Sequence, residues 1–512
     1  MSILTERYAD QICGTLSCFD RIVITGILPG ICYAKGMEAV LYGRDIRLVD
    51  YPRFAEPFRD GIRKHIEQVA QEAGIDIEFV RSSKGFRKEA RVQQVLQQRG
   101  VTIGIVHILS AMETCPTYVY RHDKQSGRNW LQGREGKCLH YYVYFLHEEF
   151  GLCYLRIPTW LPMRLQFYCN GHHWLANQLR LQGIAFTPLD NTFLSIADWQ
   201  KAQQLADAFP VERLHRALDA LVEQYCPVLG EFPDTYHWSL MQVEYATDLV
   251  FARQRDLAPL YDSLVRTAIH TVKPDNIATF LGKKLTGNFQ DEAGNDFHTR
   301  IEGTRIKHHL GPASLKMYDK QGIVLRIETT VNDVSFFQHY RTVEHRDGTK
   351  EQKFAPMKKT LYSLPALQEV CQAANRRYLE FLSQLADPTP GIKKVEKLSE
   401  PVEYNERSYR GFNLFCGDDL ALFLALMRGE FALSGFRNAW LRRALPGYSG
   451  AQVSRMLKRL HLHGLVKKVG HSYKYHLSAL GRQVCMAALK LRELVVVPFL
   501  AEQTPAEPIL CA

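Results

Sequence analysis

The chain has 512 residues, of which 46% are hydrophobic and 23% charged, and its formal net charge is +10. This composition is that of a folded globular protein and excludes a largely disordered chain. No apolar run approaches the roughly 20 residues that a membrane helix needs, and the first 20 residues lack the apolar stretch of a secretory signal. We therefore expect a cytoplasmic protein with no membrane partner and about three or four domains.

Residues 1–112 alternate strand and helix patterns and are predicted to form an α/β domain. Arg21–Gly26 is a β-branched run, Ile46–Val49 is a second strand candidate, and Val101–Leu109 is predicted to be a buried strand. Ala55–Ala73 has apolar residues at helical spacing. Alternation of this kind is typical of a layer with parallel strand pairing.

Residues 113–235 form a strand-rich α+β region, with strands predicted at His140–Leu146, Leu152–Pro158 and Arg164–Cys169. A helix then begins with the sequence Gly-His-His-Trp at 171–174. A helix N-terminus can hold an anion, and histidines can bind metal. Neighbouring helical residues diverge by about 100°, however, so the pattern favours a capped helix with an aromatic anchor.

Residues 236–386 are predicted to be an α+β domain that contains a polar β-meander. Helices are expected first, at Ser239–Ala252 and Leu257–His270. Three antiparallel strands follow at Thr304–His309, Ala313–Asp319 and Ile323–Val331, joined by Gly-Pro and Gln-Gly turns. Together with the patterns of the preceding segments, this pattern predicts a multidomain protein that combines α/β and α+β parts.

The meander concentrates polar side chains on one face. Because successive strand residues point to opposite faces, the apolar Leu315 and Met317 lie on the face opposite Lys316 and Tyr318. The polar residues predicted to share one face are Arg305, Lys307, His309, Lys316, Tyr318, Arg326 and Glu328. Such a face can carry chemistry, or it can be a solvated, salt-bridged surface that binds phosphates or nothing.

The run SLKMYDKQGIVLRIETT at 314–330 resembles the Y-D-K and R-x-E strand pair of phage and plasmid rolling-circle replication initiators. Those enzymes nick DNA with a tyrosine nucleophile and a metal held by histidines. The resemblance implies that Tyr318 is the nucleophile, that Lys316 and Glu328 are catalytic, and that His308 or His309 holds a divalent ion such as Mg²⁺ or Mn²⁺. The usual His-hydrophobe-His is absent, and adjacent strand residues such as these two histidines point to opposite faces.

Several carboxylates elsewhere are open candidates for metal or acid–base chemistry. Asp20 flanks a predicted strand, and Asp190 lies in a polar turn. Glu244 and Asp248 are four residues apart in a predicted helix, a spacing that is more typical of a solvated helix face. The twelve cysteines form no Cys-x-x-Cys pair, which argues against a structural zinc site.

The excess positive charge lies in one C-terminal segment. Residues 431–492 contain 12 Lys/Arg and no Asp or Glu, whereas the rest of the chain carries 52 Lys/Arg against 54 Asp/Glu. A segment this basic predicts a polyanionic partner. A linker with little apolar periodicity, residues 387–411, separates it from the preceding domain.

Residues 412–500 are predicted to form a winged helix-turn-helix. Helices are expected at Asp418–Gly429, Gly435–Leu445 and Ser449–His463, the last with a Ser-x-x-Gln capping box. Two short strands at Leu465–Val469 and Tyr473–Leu477 precede a final helix. The run QVSRMLKRLHLHGLVKKVGHSYKYHLSALG resembles the recognition helix and wing of bacterial regulators of the multiple-antibiotic-resistance type.

That resemblance implies a helix in the major groove and a wing on the backbone or minor groove. The residues it places against DNA are Gln452, Arg455, Lys458, Arg459, Lys467, Lys468, Tyr473 and Lys474. The sequence therefore predicts a bacterial nucleic-acid-binding protein whose partner is duplex DNA. A structured RNA partner for the N-terminal body and a homodimer are left open.

Two functions follow from these patterns. The first is a DNA-processing protein of the mobile-element or replication type, in which the winged helix locates a site and the body nicks it. The alternative is a non-enzymatic transcriptional regulator or nucleoprotein scaffold. Metal-dependent scission separates the first function from the second.

Overall fold

The computed structural model describes residues 3–81, 86–285, 293–300, 303–385, 396–413, 416–428, 431, 435–470, 472–493 and 497. The chain divides into two compact units, Met1–Ser383 and Gln384–Ala512. The domain boundaries predicted after residues 112 and 235 both fall within the first unit. Residues 387–395 of the predicted linker lie outside the described part of the chain.

The first unit is mixed α/β and contains an eleven-stranded sheet with the order β10-β11-β12-β13-β9-β1-β6-β5-β4-β3-β2. Two further pairs, β7–β8 and β14–β15, are separate two-stranded ribbons. The strands are β1 (Ile12–Ile27), β2 (Ile77–Phe79), β3 (Gly104–His122), β4 (Asn129–His147), β5 (Gly151–Pro158), β6 (Leu165–Cys169), β7 (Phe186–Pro188), β8 (Phe193–Ile196), β9 (His237–Phe251), β10 (Ala293–Arg300), β11 (Gly303–Leu310), β12 (Ala313–Lys320), β13 (Val324–Val331), β14 (Gln338–Glu344) and β15 (Lys350–Pro356).

Helices cover this sheet; most of them share one large apolar core with it, and residues 88–99 pack in a second, smaller apolar cluster. The helices of the first unit are α1 (Ile3–Arg7), α2 (Ala34–Gly43), α3 (Tyr51–Glu72), α4 (Lys88–Arg99), α5 (Gly171–Leu181), α6 (Trp199–Asp207), α7 (Val211–Tyr225), α8 (Gln254–Thr271), α9 (Pro274–Phe280) and α10 (Leu364–Leu385). In α3 the stripe Phe58, Ile62 and Ile66 is buried, as its four-residue spacing predicts. No helix in the described residues is long and apolar enough to cross a membrane.

The two halves of the sheet repeat one topology. In each half a central strand, β1 or β9, is followed by helices and later by a four-stranded antiparallel meander. The last strand of each meander, β6 or β13, pairs with that central strand. Because β1 and β9 pair antiparallel with each other, the two halves meet along this strand pair.

Two predicted elements of the first unit are wrong. Ser239–Ala252, predicted to be a helix, is the central strand β9; it is covered on both faces, so its apolar residues do not follow the strict alternation of a half-exposed strand. Ile46–Val49 is not a strand, because a single 3₁₀ turn at Leu48–Asp50 leads into α3 there. Pairing between described strands is parallel only for β2 and β3.

The second unit has its own apolar core. Two short strands, Val402–Tyr404 and Arg407–Tyr409, form a hairpin within the predicted linker. The elements after them follow the predicted order of helices and a two-stranded hairpin. The elements of the unit are β16 (Val402–Tyr404), β17 (Arg407–Tyr409), α11 (Gly417–Leu426), α12 (Asn438–Ala444), α13 (Gly450–Leu462), β18 (Val466–Lys468), β19 (Tyr475–Leu477) and α14 (Ala479–Leu491). The predicted capping box is confirmed, since Ser449 and Gln452 each bond to the other's backbone amide.

Candidate active site

Polar side chains line one face of four neighbouring strands, β12, β13, β9 and β1. In the register of β12 and β13, Lys316 pairs with Glu328 and Tyr318 with Arg326. Arg326 in turn pairs with Asp248 on β9. Because directly opposed residues share a face, the predicted grouping of Lys316, Tyr318, Arg326 and Glu328 is confirmed.

A bulge in β1 adds Asp20 to this face. Phe19 pairs with Tyr245 and Arg21 with Glu244, so Asp20 is an extra residue without a partner in the β1–β9 register. Bulges are common next to active sites because they change the direction in which a side chain points. Asp20 is buried and lies beside the carboxylates of the neighbouring strands.

Three carboxylates meet at this point. One oxygen of each of Asp20, Glu244 and Glu328 lies within 4.8 Å of the others, and we call these residues the acidic triad. Lys316 Nζ lies 2.6 Å from Glu328 Oε1 and 3.1 Å from Glu244 Oε1. The Tyr318 hydroxyl donates to the second oxygen of Glu328 at 2.8 Å. A tyrosine hydroxyl, a lysine ammonium and three carboxylates therefore share one small volume.

Burial and mutual charge perturb these groups. Burial and the neighbouring Glu328 raise the pKa of Glu244, which Lys316 only partly offsets. Burial alone would lower the pKa of Lys316, but Glu328 and Glu244 raise it, so the ammonium is the favoured form. Burial raises the pKa of Tyr318 well above its ordinary value. The phenol is therefore neutral at pH 7 and needs a base or a cation to become a nucleophile.

A second network, centred on Arg326, lies beside the acidic triad. This guanidinium is fully buried and donates to both oxygens of Asp248 at 2.6 Å. Its third nitrogen lies 3.2 Å from Asp20 Oδ2. Burial alone would raise the pKa values of Asp20 and Asp248, but Arg326 lowers both below their ordinary range. Arg326 thus keeps both aspartates ionised and fixes the position of Asp20.

The first turn of α5 and the turn between β7 and β8 cover the Arg326 network. His172, in the first turn of α5, has Nδ1 3.3 Å from Asp20 Oδ1. Asn191, between β7 and β8, donates to the same oxygen at 2.5 Å, and the next residue, Thr192, donates to Asp248. The alternative of a solvated surface is therefore wrong for Arg326 and Glu328, since they are only 0% and 2% exposed.

The predicted α5 start is confirmed as a capped helix with an aromatic anchor. The Asn170 side chain accepts a hydrogen bond from the His172 backbone amide at 2.8 Å, and Trp174 is buried. A cavity of 560 Å³ lies alongside, with His172, His173 and Thr192 in its wall. The His172 ring thus contacts the Arg326 network on one side and this cavity on the other.

The prediction that His308 holds a metal ion is wrong. The His308 ring is fully buried, with Nδ1 2.6 Å from Asn295 Oδ1 and Nε2 2.8 Å from the Tyr378 hydroxyl. Both ring nitrogens are therefore used inside the protein, and burial lowers the pKa of His308 to about 4. The adjacent His309 points to the other face, where Nδ1 lies 3.6 Å from Asp296. The two rings cannot share an ion.

Asp20, Glu244 and Asp248 belong to the site, although no sequence pattern singled them out. Glu244 and Asp248 sit on one face of a strand, where a spacing of four residues also returns a side chain to the same side. A strand assignment for β9 would have placed them beside Glu328. The position of Asp20 depends on the bulge, for which the sequence carries no signal that we recognise.

The predicted nucleic-acid contacts of the second unit fall into two groups. Exposed residues are Gln452 and Arg455 on α13 and Lys467, Lys468 and Tyr473 on the hairpin. Lys458 and Lys474 are half-buried, and Lys458 Nζ lies 3.9 Å from the centre of the Tyr404 ring.

The prediction that Arg459 contacts DNA is wrong. It is buried, and its guanidinium donates to both oxygens of Asp419 at 2.6 and 2.9 Å. It also donates to the backbone carbonyls of Arg410 and Gly411. A guanidinium satisfied in this way stabilises the unit and cannot reach a phosphate or a base.

Comparison with protein-family models, with curated proteins and with solved structures gives no match to this chain. The function is therefore inferred from the geometry of the sites described above.

Proposed function

We propose that this protein nicks DNA in a reaction that needs a divalent cation, with Tyr318 as the nucleophile and the acidic triad as the metal site. The observation that carries the proposal is the meeting of Asp20, Glu244 and Glu328 within 4.8 Å, with the Tyr318 hydroxyl 2.8 Å from Glu328. The resemblance of residues 314–330 to rolling-circle replication initiators supports the same chemistry.

The chemistry of the donors fits Mg²⁺ or Mn²⁺. Both are hard cations that prefer carboxylate oxygens, and the triad offers three of these. Burial and the neighbouring Glu328 raise the pKa of Glu244, and a cation held by the triad would favour its ionised form. When bound, such an ion would neutralise charge on a phosphate and stabilise the charge that develops during displacement.

In the proposed step the Tyr318 oxygen forms a bond to phosphorus as the bond from phosphorus to one ester oxygen of the strand breaks. The phenolic proton passes to Glu328, which already accepts the hydrogen bond from this hydroxyl. The departing oxygen takes up one proton from water and becomes a free hydroxyl. The products are a phosphotyrosine linkage on Tyr318 and a strand end.

Lys316 is placed to assist this step. Its ammonium is held between Glu328 and Glu244 and is stabilised as a cation by both. A fixed positive charge next to the reacting phosphate stabilises the additional negative charge of the transition state. Arg326 is a positioning residue in this scheme, because it acts on the reaction through Asp20.

Incubating the purified protein with end-labelled single-stranded and duplex DNA, with Mg²⁺, Mn²⁺ or EDTA, tests the proposal. We expect scission in the two metal lanes and none with EDTA, because the cation would stabilise the charge that develops on the phosphate during displacement. Salt-dependent binding without scission in any lane would contradict it, and would favour a non-enzymatic regulator or scaffold instead.

We further propose that the second unit is a winged helix that binds duplex DNA. The order α11-α12-α13-β18-β19-α14 supports this assignment, as does the isolated bridge between Phe436 and Tyr475, which ties the segment before α12 to the hairpin. Arg455, Lys467 and Lys468 are exposed on α13 and the hairpin. These elements are the ones that such a module places against DNA.

Replacing Arg455, Lys467 and Lys468 together by alanine is expected to weaken duplex binding and its dependence on salt. Each lost phosphate contact makes the slope of log affinity against log salt shallower by about 0.9, so the slope of the triple variant should be shallower by about 2.7. Fluorescence anisotropy from about 50 to about 300 mM salt, a range that brackets physiological ionic strength, measures the slope. The control replaces Arg63, Lys64 and Lys201, which are exposed in the first unit, and an equal change in both variants would refute the assignment.

A further inference from the structure

Arg21 lies on the same face of the sheet as the acidic triad. In the β1–β9 register it is directly opposite Glu244, and it follows Asp20 at the bulge. Directly opposed residues share a face of a sheet, and the Arg21 side chain is half-buried there. A guanidinium is therefore held next to two members of the proposed metal site.

An aromatic stack holds this guanidinium. Its central carbon lies 5.3 Å from the centre of the Tyr168 ring. That ring is stacked on Tyr154, with 5.1 Å between the ring centres and 14° between the ring planes. Stacking uses the flat face of a guanidinium and leaves the N–H groups at its edge free to donate. The stack thus positions Arg21 without using its hydrogen-bond donors.

These donors have no acceptor within the protein. Among the residues that the structure describes, no oxygen accepts a hydrogen bond from the Arg21 guanidinium and no carboxylate forms an ion pair with it. Two other arginines on this face are fully paired: Arg326 with both aspartates of its network, and Arg156 with Glu113 at 2.8 Å. Half-buried donors normally have partners, so the unused edge of Arg21 indicates a ligand.

The charges around Arg21 indicate an oxyanion that binds together with a metal ion. The paired N–H groups of a guanidinium match two oxygens of a phosphate or a carboxylate. The three carboxylates of the acidic triad would repel a free anion, so an oxyanion is stable here only when a divalent cation occupies the triad. In the proposed reaction, the oxyanion that meets this cation is a phosphodiester of the DNA strand.

We infer that Arg21 binds a non-bridging oxygen of the scissile phosphodiester, next to the cation held by the acidic triad. This inference rests on the proposed function and adds a phosphate-binding residue to it. The strand order β12-β13-β9-β1 places Lys316 and Arg21 on the two outer strands of the site, with Glu328 and Glu244 between them. The phosphate is then contacted by a cationic side chain from each side.

The positive charge of Arg21 acts against metal binding, and this gives the inference a distinctive consequence. Burial and Glu328 raise the pKa of Glu244, and Arg21 is one of the cations that oppose this rise. Removing the charge leaves the acidic triad more negative, so the triad should bind Mn²⁺ at least as tightly as before. One substitution should therefore weaken binding of the strand without weakening binding of the metal.

The test uses the full-length chain with Tyr318→Phe, so that a bound strand is not cut. Fluorescence anisotropy with a short labelled oligothymidylate in Mn²⁺ compares this protein with its Arg21→Gln and Arg21→Lys variants. We expect Arg21→Gln to lower the affinity about tenfold or more. The slope of log affinity against log salt should become shallower by about 0.7, the value for one phosphate of a single strand. Arg21→Lys keeps the charge but loses the paired donors, so it should retain part of the affinity.

The matched control is Arg59→Gln. The Arg59 guanidinium is also half-buried against an aromatic ring, 6.0 Å from the centre of Trp160, but it lies on α3 and donates to Asp60 at 2.8 Å. This substitution should leave the affinity for the oligothymidylate unchanged. Because the second unit is identical in all variants, a difference between them arises in the first unit.

An affinity of Arg21→Gln equal to that of the control would overturn the inference. Electron paramagnetic resonance of free Mn²⁺ measures metal binding in the same proteins. A loss of Mn²⁺ affinity in Arg21→Gln alongside the loss of strand affinity would also overturn it, because Arg21 would then support the triad instead of contacting the strand. Failure of the proposed function is distinguishable: Mn²⁺-dependent strand binding that needs Arg21, without scission by the chain that keeps Tyr318, would refute nicking and leave the phosphate contact standing.

Discussion

Replacing Tyr318 by phenylalanine is expected to abolish DNA nicking, with a loss of rate of about a thousandfold or more. The substitution removes only the oxygen that would attack phosphorus and leaves the ring in place. Metal binding should persist, since the acidic triad is unchanged. Nicking rates on labelled single-stranded DNA with Mn²⁺, together with a separate Mn²⁺ titration, measure both effects.

The control for this variant is Tyr362→Phe. That hydroxyl contacts His215 at 2.9 Å and Tyr362 is 53% exposed, away from the triad. The unfolding free energy of the Tyr318 variant should fall by only about 1 kcal/mol, the usual contribution of one hydrogen bond. Undiminished nicking by a folded Tyr318→Phe protein would remove the nucleophile assignment.

Replacing Arg326 by methionine is expected to destabilise the first unit by about 3–5 kcal/mol. The substitution leaves Asp20 and Asp248 buried without their shared counter-charge. Urea unfolding followed by tryptophan fluorescence measures the change. The exposed pair Lys353 and Glu351 gives the comparison, because Lys353→Ala should cost at most about 1 kcal/mol.

Two further measurements separate the loss of charge from the loss of packing. Adding Asp248→Asn to Arg326→Met removes one uncompensated charge and should restore part of the stability. The lowered pKa of Asp248 also means that the ion pair contributes stability above the ordinary value of 3.8, and that this contribution is lost as pH falls below it. In Arg326→Met, burial without the guanidinium raises the pKa of Asp248 instead, so this variant should gain stability as pH falls towards 3.8. An Arg326→Met protein as stable as the original would show that the network is not structural.

The meander was predictable because its strands follow an elementary pattern. Leu315 and Met317 alternate with Lys316 and Tyr318, so period two fixes both the strand and the face. The same alternation on β13 places Glu328 on the polar face, and the register between β12 and β13 brings it directly opposite Lys316.

The remainder of the site depends on contacts that no local pattern specifies. β9 is buried on both faces, and Leu240, Val243 and Val250 happen to match helical spacing, so the helix prediction there was wrong. Asp20 reaches the triad through a bulge. The burial of Arg326 comes from the turn at 189–192, which is far away in sequence.

The C-terminal unit shows the same division between local and tertiary information. Ser449 and Gln452 specify a helix start within four residues, and the structure has it there. Arg459 lies on that same helix, but its exposure depends on Asp419 of α11, which packs against it. Helical spacing alone therefore could not separate this structural arginine from the exposed Arg455.

The most direct test of the central claim is the identification of a covalent protein–DNA intermediate. The protein is incubated with single-stranded DNA and Mn²⁺, denatured, digested with protease and nuclease, and analysed by mass spectrometry. The account predicts a nucleotide linked through phosphate to the peptide that contains Tyr318, and no such species with EDTA. Metal-dependent scission with no adduct, or an adduct on a different residue, would contradict it.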